Sequence, residues 1–414
     1  MNSTVISALA GFTVLIGVMA CEPGGEAFAE GRYALVNVHL FDGSRASIRE
    51  HVNVLVADGR IERIDESNAA VPAGYERIDG AENYLMPGLF DVHTHLDNLA
   101  AAERALASGV TTVRSASVSA FQDVAFRELV KSGAVAGPDM LAAGIYITPD
   151  LGDTILADPR LASLSGGVTT DAELRQLVNI NASRGVDVIK TRGTQRAGLP
   201  DTDPRRQVYT EHQLRVVVEE AAKHGIAVLV HAHGDEGARA AVLAGARSIE
   251  HGTYLSEETL QFMKERGTWF VPTWVTMNEM NEERYDYVLR LRGHHMVPHL
   301  EEAIRMAHRL GVRMATGADN YYQADSINRI SFEVERFAEL GLSNFEALQT
   351  ATTGAAELLG IADRTGRIAP GYEADMILVP GNPLEDVSVL HDVLLVMSNG
   401  RLVVRRIPFG LAAE

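Results

Sequence analysis

The 414-residue chain is 46% hydrophobic and 22% charged, proportions ordinary for a globular protein. Its formal net charge of −18 and the lack of any Lys/Arg-rich run argue against nucleic acid as a partner and leave room for a small or cationic one. A single cysteine, Cys21, excludes a disulfide framework and a cysteine-ligated zinc site.

The first segment reads as a leader over residues 1–29. Residues 5–20 form an apolar run too short for a comfortable membrane span and of the length of a secretory h-region. Two processing readings compete: the small-x-small triplet Ala27-Phe28-Ala29, and "VMAC", which resembles a lipoprotein box with Cys21 as the lipidated residue. Both predict an exported protein, periplasmic or secreted, with no membrane span in the mature chain.

From residue 32 the pattern is strand-like. "YALVNVHLFDG" alternates and stops at Asp-Gly, and "VNVLVADGRIERID" reads as two strands joined at Asp58-Gly59. The C-terminus has the same character, with "ADMILVPG" and a hairpin turning at Asn399-Gly400. These ends, residues 30–86 and 363–414, are expected to meet in one small β-sandwich domain.

Between them, over 87–362, short apolar strands alternate with helix-like segments. The strands are "GLFDVH", "TTVRS", "DMLAAG", "DVIKT", "AVLVHAH", "SIEHG", "WFVPT" and "RMATGAD". Eight β-then-α units predict an α/β fold, a (β/α)₈ TIM-like barrel. The helix over "TEHQLRVVVEEAAKHG" has Thr210 as N-cap, apolar Leu214, Val217, Val218 and Ala221 at helical spacing, and a stop at Gly225.

Polar residues recur at the C-terminal ends of these strands: His93 and His95, Lys190, His231 and His233, His251, and Asp319. Active sites of such barrels are built at that face, so residues distant in sequence converge there. A lone strand-end histidine is more often structural. Five of them with one aspartate point instead to a metal site, because imidazole and carboxylate are the usual ligands of zinc and related ions. Lys190 has only donors and cannot coordinate a cation unless its amine takes up carbon dioxide as a carbamate.

The segments "LMPGLFDVHTHLD", "GVDVIKTRG", "GIAVLVHAHGDEGARAAVLAGARSIEHGTYL", "MATGADN" and "GRIAPGYEADMILVPGNPLEDVSVL" resemble the metal-dependent amidohydrolase superfamily. They look most like its imidazolonepropionase-like branch of metal-dependent prolidases, Xaa-amino-acid carboxypeptidases and ochratoxinase-type amidases. The resemblance implies two divalent metal ions, expected to be Zn2+. It makes His93 and His95 ligands of the more buried ion, with Lys190, as N6-carboxylysine, bridging to the second. His231 and His251 would hold that second ion, and Asp319 would ligate the first and transfer the proton. Spacing alone does not choose between His231 and His233, which share a strand face. The family pattern favours His231 and leaves His233 facing substrate.

The loop "TRGTQRAGLPDTDPRRQVY" offers Arg192, Arg196, Arg205 and Arg206 for a substrate carboxylate, and Tyr254 could bond the carbonyl or carboxylate. Tyr146, Trp269, Trp274, Met277 and Met280 would suit an apolar side chain. Related prolidases often carry a glycine-rich histidine loop after strand three, where this chain has Asp150 and Asp153. The expected partner is a small-molecule amide with a free carboxylate, a dipeptide or N-acyl amino acid, and the analogy with relatives implies a homo-oligomer. A mononuclear deaminase or cyclic-amide hydrolase, and a non-catalytic exported binding protein, are the competing readings. Pro298 is expected to break the helix carrying His295 and His299, which with His39, His51, His212, His224 and His391 read as structural or surface residues.

Overall fold

The computed structural model describes residues 31–324, 326 and 328–406. The leader, with Cys21 and Ala27-Phe28-Ala29, lies outside the described residues. Among those described, no helix is long and apolar enough to cross a membrane.

Strands from the two chain ends share one sheet. The first five are β1 (Tyr33–Phe41), β2 (Ile48–Ala57), β3 (Arg60–Glu66), β4 (Glu76–Asp79) and β5 (Tyr84–Pro87). Seven follow in the middle of the chain: β6 (Leu89–Thr94), β7 (Val110–Ser115), β8 (Asp139–Leu141), β9 (Val188–Arg192), β10 (Ala227–Ala232), β11 (Ser248–His251) and β12 (Trp269–Val271). The last three are β13 (Met376–Val379), β14 (Leu395–Ser398) and β15 (Arg401–Arg405). The terminal sheet runs β15-β14-β13-β5-β1-β2-β3, with β4 paired to β1. Asp58 and Gly59, at φ 52° and 74°, and Asn399 and Gly400, at φ 50° and 72°, turn its two hairpins. Both central residues of each turn are left-handed, which matches the twist of the flanking strands. These strands form one hydrogen-bonded sheet that curls back on itself. Its far limb returns to its near one through Ile61 N donating to Tyr372 O and Ala374 N donating to Gly59 O. Val54, Val56, Ile61, Met376, Leu378 and Met397 fill the space between the limbs.

The middle of the chain forms parallel strands in two runs, β6-β7-β8 and β12-β11-β10-β9. At one seam Val188 N donates to Ala142 O and Ile147 N to Lys190 O. At the other, residues 313–320 lie between β12 and β6: Phe270 N donates to Arg313 O, Val92 N to Thr316 O and Asp319 N to His93 O.

The expected eighth strand, "RMATGAD", is thus no regular strand: it joins its neighbours through these hydrogen bonds and the isolated bridges Phe270–Met314 and Thr94–Asn320. The cause is the buried carboxylate of Asp91, whose Oδ1 accepts from both His93 N and Ala318 N and takes two donors out of the ladder. Gly317 passes close by, and a Cβ there would stand 2.7 Å from His93 Cβ.

Helices alternate with these strands. Thr210 caps Glu211–Ala222 in a reciprocal capping box with Gln213, and Leu214, Val216, Val217 and Ala221 are buried on it, with Val218 partly buried against the same core. The helix Tyr287–Leu310 continues through Pro298, contrary to the sequence expectation. Pro298 and His294 are both exposed, so the carbonyl left without a donor faces water.

Candidate metal centre

The strand ends gather the predicted residues around one cavity of about 520 Å³. His93 Nε2 lies 3.3 Å from Lys190 Nζ and 3.4 Å from Asp319 Oδ1, and His95 Nε2 lies 3.0 Å from the same oxygen. The rings of His231 and His233 stand 4.5 and 4.6 Å from that of His251. Ligating atoms of His231, His233 and His251 fall within 4.8 Å of one another, as do those of His93, His251 and Asp319. His231 of β10 and His233 just beyond its end, not His231 alone, therefore join the cluster.

Each imidazole is anchored through one nitrogen. His93 Nδ1 donates to Glu250 Oε2 at 2.6 Å, His95 Nδ1 to Ser117 O at 2.6 Å, and His231 Nε2 to Gln195 O at 3.0 Å. Nδ1 of His233 pairs with Thr253 Oγ1 at 2.9 Å, and Nδ1 of His251 with Thr273 Oγ1 at 2.7 Å. A carboxylate or carbonyl partner fixes which nitrogen holds the proton and leaves the other as a lone pair, the arrangement that supports a metal ligand.

Backbone strain contributes as well. His251 has φ 73° and Asp319 φ 48°, in the left-handed region that side chains seldom adopt. Successive residues of a strand normally face opposite ways. With His251 turned in this way, Glu250 reaches His93 and Arg114 while His251 also enters the cluster.

The electrostatics suit cation binding. Burial lowers His93 to about 4 and His233 to about 3, and it holds His231 and His251 well below the usual histidine range. All four are then neutral at pH 7, as ligation requires. Burial opposes ionisation of Asp319, but His93, His95 and Lys190 outweigh it and hold the carboxyl below its ordinary range. Burial equally opposes Glu250, and Arg114, which donates to both oxygens at 2.9 Å, overcomes it. Lys190, buried, is lowered to about 7.

The donor set therefore fits divalent ions: neutral imidazoles with oriented lone pairs, one ionised carboxylate, and a desolvated amine 3.3 Å from the nearest imidazole nitrogen. Donors around a tetrahedral ion with bonds of 2.0–2.1 Å stand roughly 3.3 Å apart, and the separations around Asp319 are of that size.

The predicted substrate contacts divide. Arg196, Tyr146, Met277 and Met280 line the cavity. Arg192 instead packs over Tyr146, its Cζ 4.7 Å from the ring centre, and Arg205 pairs with Asp203 at the surface. Arg206, Asp150 and Asp153 are exposed away from it. Tyr254 faces the helix Tyr287–Leu310, 5.2 Å from the ring of His299, and Trp269 and Trp274 are core residues outside the cavity lining. Sequence reading missed Glu250, Arg114, Asp91 and the cavity residue Tyr321, stacked 4.9 Å from His95. The available signal for Glu250 was a carboxylate inside an apolar strand one residue before a histidine.

A sequence model of the Amidohydrolase family matches residues 84–403. The chain belongs to the amidohydrolase family. It is 28% identical over 388 residues to ochratoxinase from Aspergillus niger, spanning 82% of this chain and 79% of that one. It is 25% identical over 415 residues to imidazolonepropionase from Kosmotoga olearia, spanning 87% and 92%. The fold superposes with a TM-score of 0.81 on a Xaa-Pro dipeptidase with methionine bound in its active site, at 27% identity over 90% of this chain and 99% of that one. These relatives place this amidohydrolase in the imidazolonepropionase-like branch and imply the TIM-like barrel. It is a metal-dependent hydrolase of amide carbon–nitrogen bonds.

Proposed function

We propose that this amidohydrolase holds two divalent ions, expected to be zinc, and cleaves dipeptides or N-acyl amino acids that carry a free carboxylate. The observation that carries this reading is the 3.3 Å approach of Lys190 Nζ to His93 Nε2 inside a buried ring of imidazoles. A lysine there has no partner chemistry with one ion but, as N6-carboxylysine, supplies two oxygens for a pair. Its lowered pKa makes the neutral amine, the form that takes up carbon dioxide, available near pH 7.

His93, His95 and Asp319 would hold one ion and His231 and His251 the other, with the modified Lys190 between them. His231 would ligate through Nδ1, since its Nε2 is spent on Gln195 O, and His251 through Nε2, since its Nδ1 is spent on Thr273. His233 would face substrate. Ions so held supply a water that ionises near neutral pH and polarise the scissile carbonyl. Asp319 takes the proton released during attack and passes it to the leaving nitrogen, a role suited to a carboxylate kept ionised at the mouth. Arg196 grips the substrate carboxylate, and Tyr146, Met277, Met280 and Tyr321 shape the side-chain pocket. Leu199, Met277 and Met280, beside the rings of Tyr146 and Tyr321, offer apolar surface to a bulky side chain within an otherwise polar lining. The names of the ochratoxinase and Xaa-Pro dipeptidase relatives support an amide substrate of this type.

In the same reading the barrel spans 87–362, the chain-end strands of 30–86 and 363–414 form an accessory domain, and the protein is exported and homo-oligomeric. A panel of dipeptides and N-acyl amino acids, assayed before and after chelation and metal return, tests the function. Release of free amino acid that is lost with chelator and restored by zinc is expected. About one metal per chain, with Lys190→Ala still active, favours a mononuclear deaminase or cyclic-amide hydrolase; no release from metal-loaded protein favours a binding protein.

A further inference from the structure

Away from the barrel mouth, His39 of β1, His51 of β2 and Glu82, just before β5, meet on the terminal sheet. Glu82 Oε2 lies 3.3 Å from His39 Nε2 and 3.0 Å from His51 Nδ1. One ligating atom from each of the three falls within 4.8 Å of the others, and the two rings stand 4.9 Å apart. Both nitrogens converge on the same oxygen of the carboxylate, although a second oxygen is present to share two hydrogen bonds. Separations of 3.0 and 3.3 Å match the edges of a tetrahedron around an ion with bonds of 2.0–2.1 Å, roughly 3.3 Å. They also match the separations around Asp319 in the barrel.

The convergence is built by local irregularity. The β1–β2 register shifts between Val38 and Leu40, a bulge that re-aims His39, and both His51 and Glu82 have left-handed φ, 52° and 62°. His39 Nδ1 is buried without a hydrogen-bond partner, so this side chain directs its polar interaction through Nε2 at Glu82.

We propose that His39, His51 and Glu82 form a peripheral site for a divalent cation of the zinc type, separate from the hydrolytic centre. Two imidazoles and one carboxylate select Zn2+ and its neighbours Co2+ and Ni2+ over Ca2+ and Mg2+. The role is structural: the ion ties β2 to the segment that continues through β5 into β6, the strand of His93. Exposure of about half of the His51 and Glu82 side chains makes this ion the more weakly held and leaves a coordination position for water.

The test compares the full chain with His51→Asn and Glu82→Gln after equilibrium dialysis against zinc. Asparagine tolerates the left-handed backbone at 51, and glutamine keeps the shape at 82. Each variant is expected to bind one zinc fewer per chain than the unaltered protein, whatever number the barrel holds, with amide hydrolysis unchanged as the check on folding. Added zinc should raise the unfolding temperature of the unaltered protein beyond any rise in the variants, and Co2+ absorption from the extra ion should vanish in both. Equal stoichiometry and equal zinc response in all three proteins would overturn the site. That outcome leaves the barrel reading intact, because the latter is judged on the ions that the variants retain.

Discussion

The two histidine clusters differ in what stands behind each ring. At the barrel mouth every imidazole is braced by a carboxylate, a carbonyl or a threonine hydroxyl, and four of the five are nearly inaccessible. In the terminal sheet His39 and His51 meet Glu82 with half of the His51 and Glu82 side chains in water, and the ring of His39 packs against those of His51 and Tyr84. Similar donor spacing therefore serves two ends. Bracing and burial pre-organise neutral ligands for chemistry, whereas a trio with two members half exposed would only hold an ion in place.

That contrast can be broken most severely at Lys190. Lys190→Ala is expected to reduce hydrolysis to background and to lose an equivalent of tightly bound metal, measured by metal analysis beside the rate. Asp319→Asn should lower kcat by about 10²–10⁴-fold, the span of a lost proton-transfer group. A smaller loss, about 10–100-fold in metal affinity, is expected for Glu250→Gln, which removes the charge orienting His93 while the ligands remain. Titration of metal-free protein with zinc measures it, and unchanged affinity would mean that bracing matters less than the contrast implies.

The smallest effect concerns Glu333, which accepts from Trp274 N and Val275 N directly behind Thr273, the partner of His251. Unlike Glu250 it faces no cation at hydrogen-bonding distance among the described residues, and burial raises it from 4.5 to about 8. Between those values the unfolded chain has released a proton that the folded chain keeps. Stability from this group is present at lower pH and is lost as pH rises to about 8. The unaltered protein should thus lose stability relative to Glu333→Gln by at most about 1.4 kcal/mol per pH unit, read from urea midpoints.

Much of the fold was legible because its signals are local. Asp58-Gly59 and Asn399-Gly400 demand left-handed turns, Thr210 caps its helix, and the period of two aims His93 and His95 at one point. Seven of the eight expected barrel strands appear, since short apolar runs between helices leave few alternatives. Pro298 misled because its effect depends on whether the freed carbonyl meets water.

By itself, then, the sequence determined which residue types stand at strand ends, and so the chemistry of the set. Only the tertiary structure decided which of them touch. Asp91 interrupts the eighth strand from 227 residues away, left-handed His251 lets Glu250 and its neighbour both reach the centre, and Arg196 rather than Tyr254 enters the cavity. Periodicity assigns a side chain to a face through bonds along the chain. Convergence and exceptions to alternation depend on contacts made across it, and no window of sequence contains them.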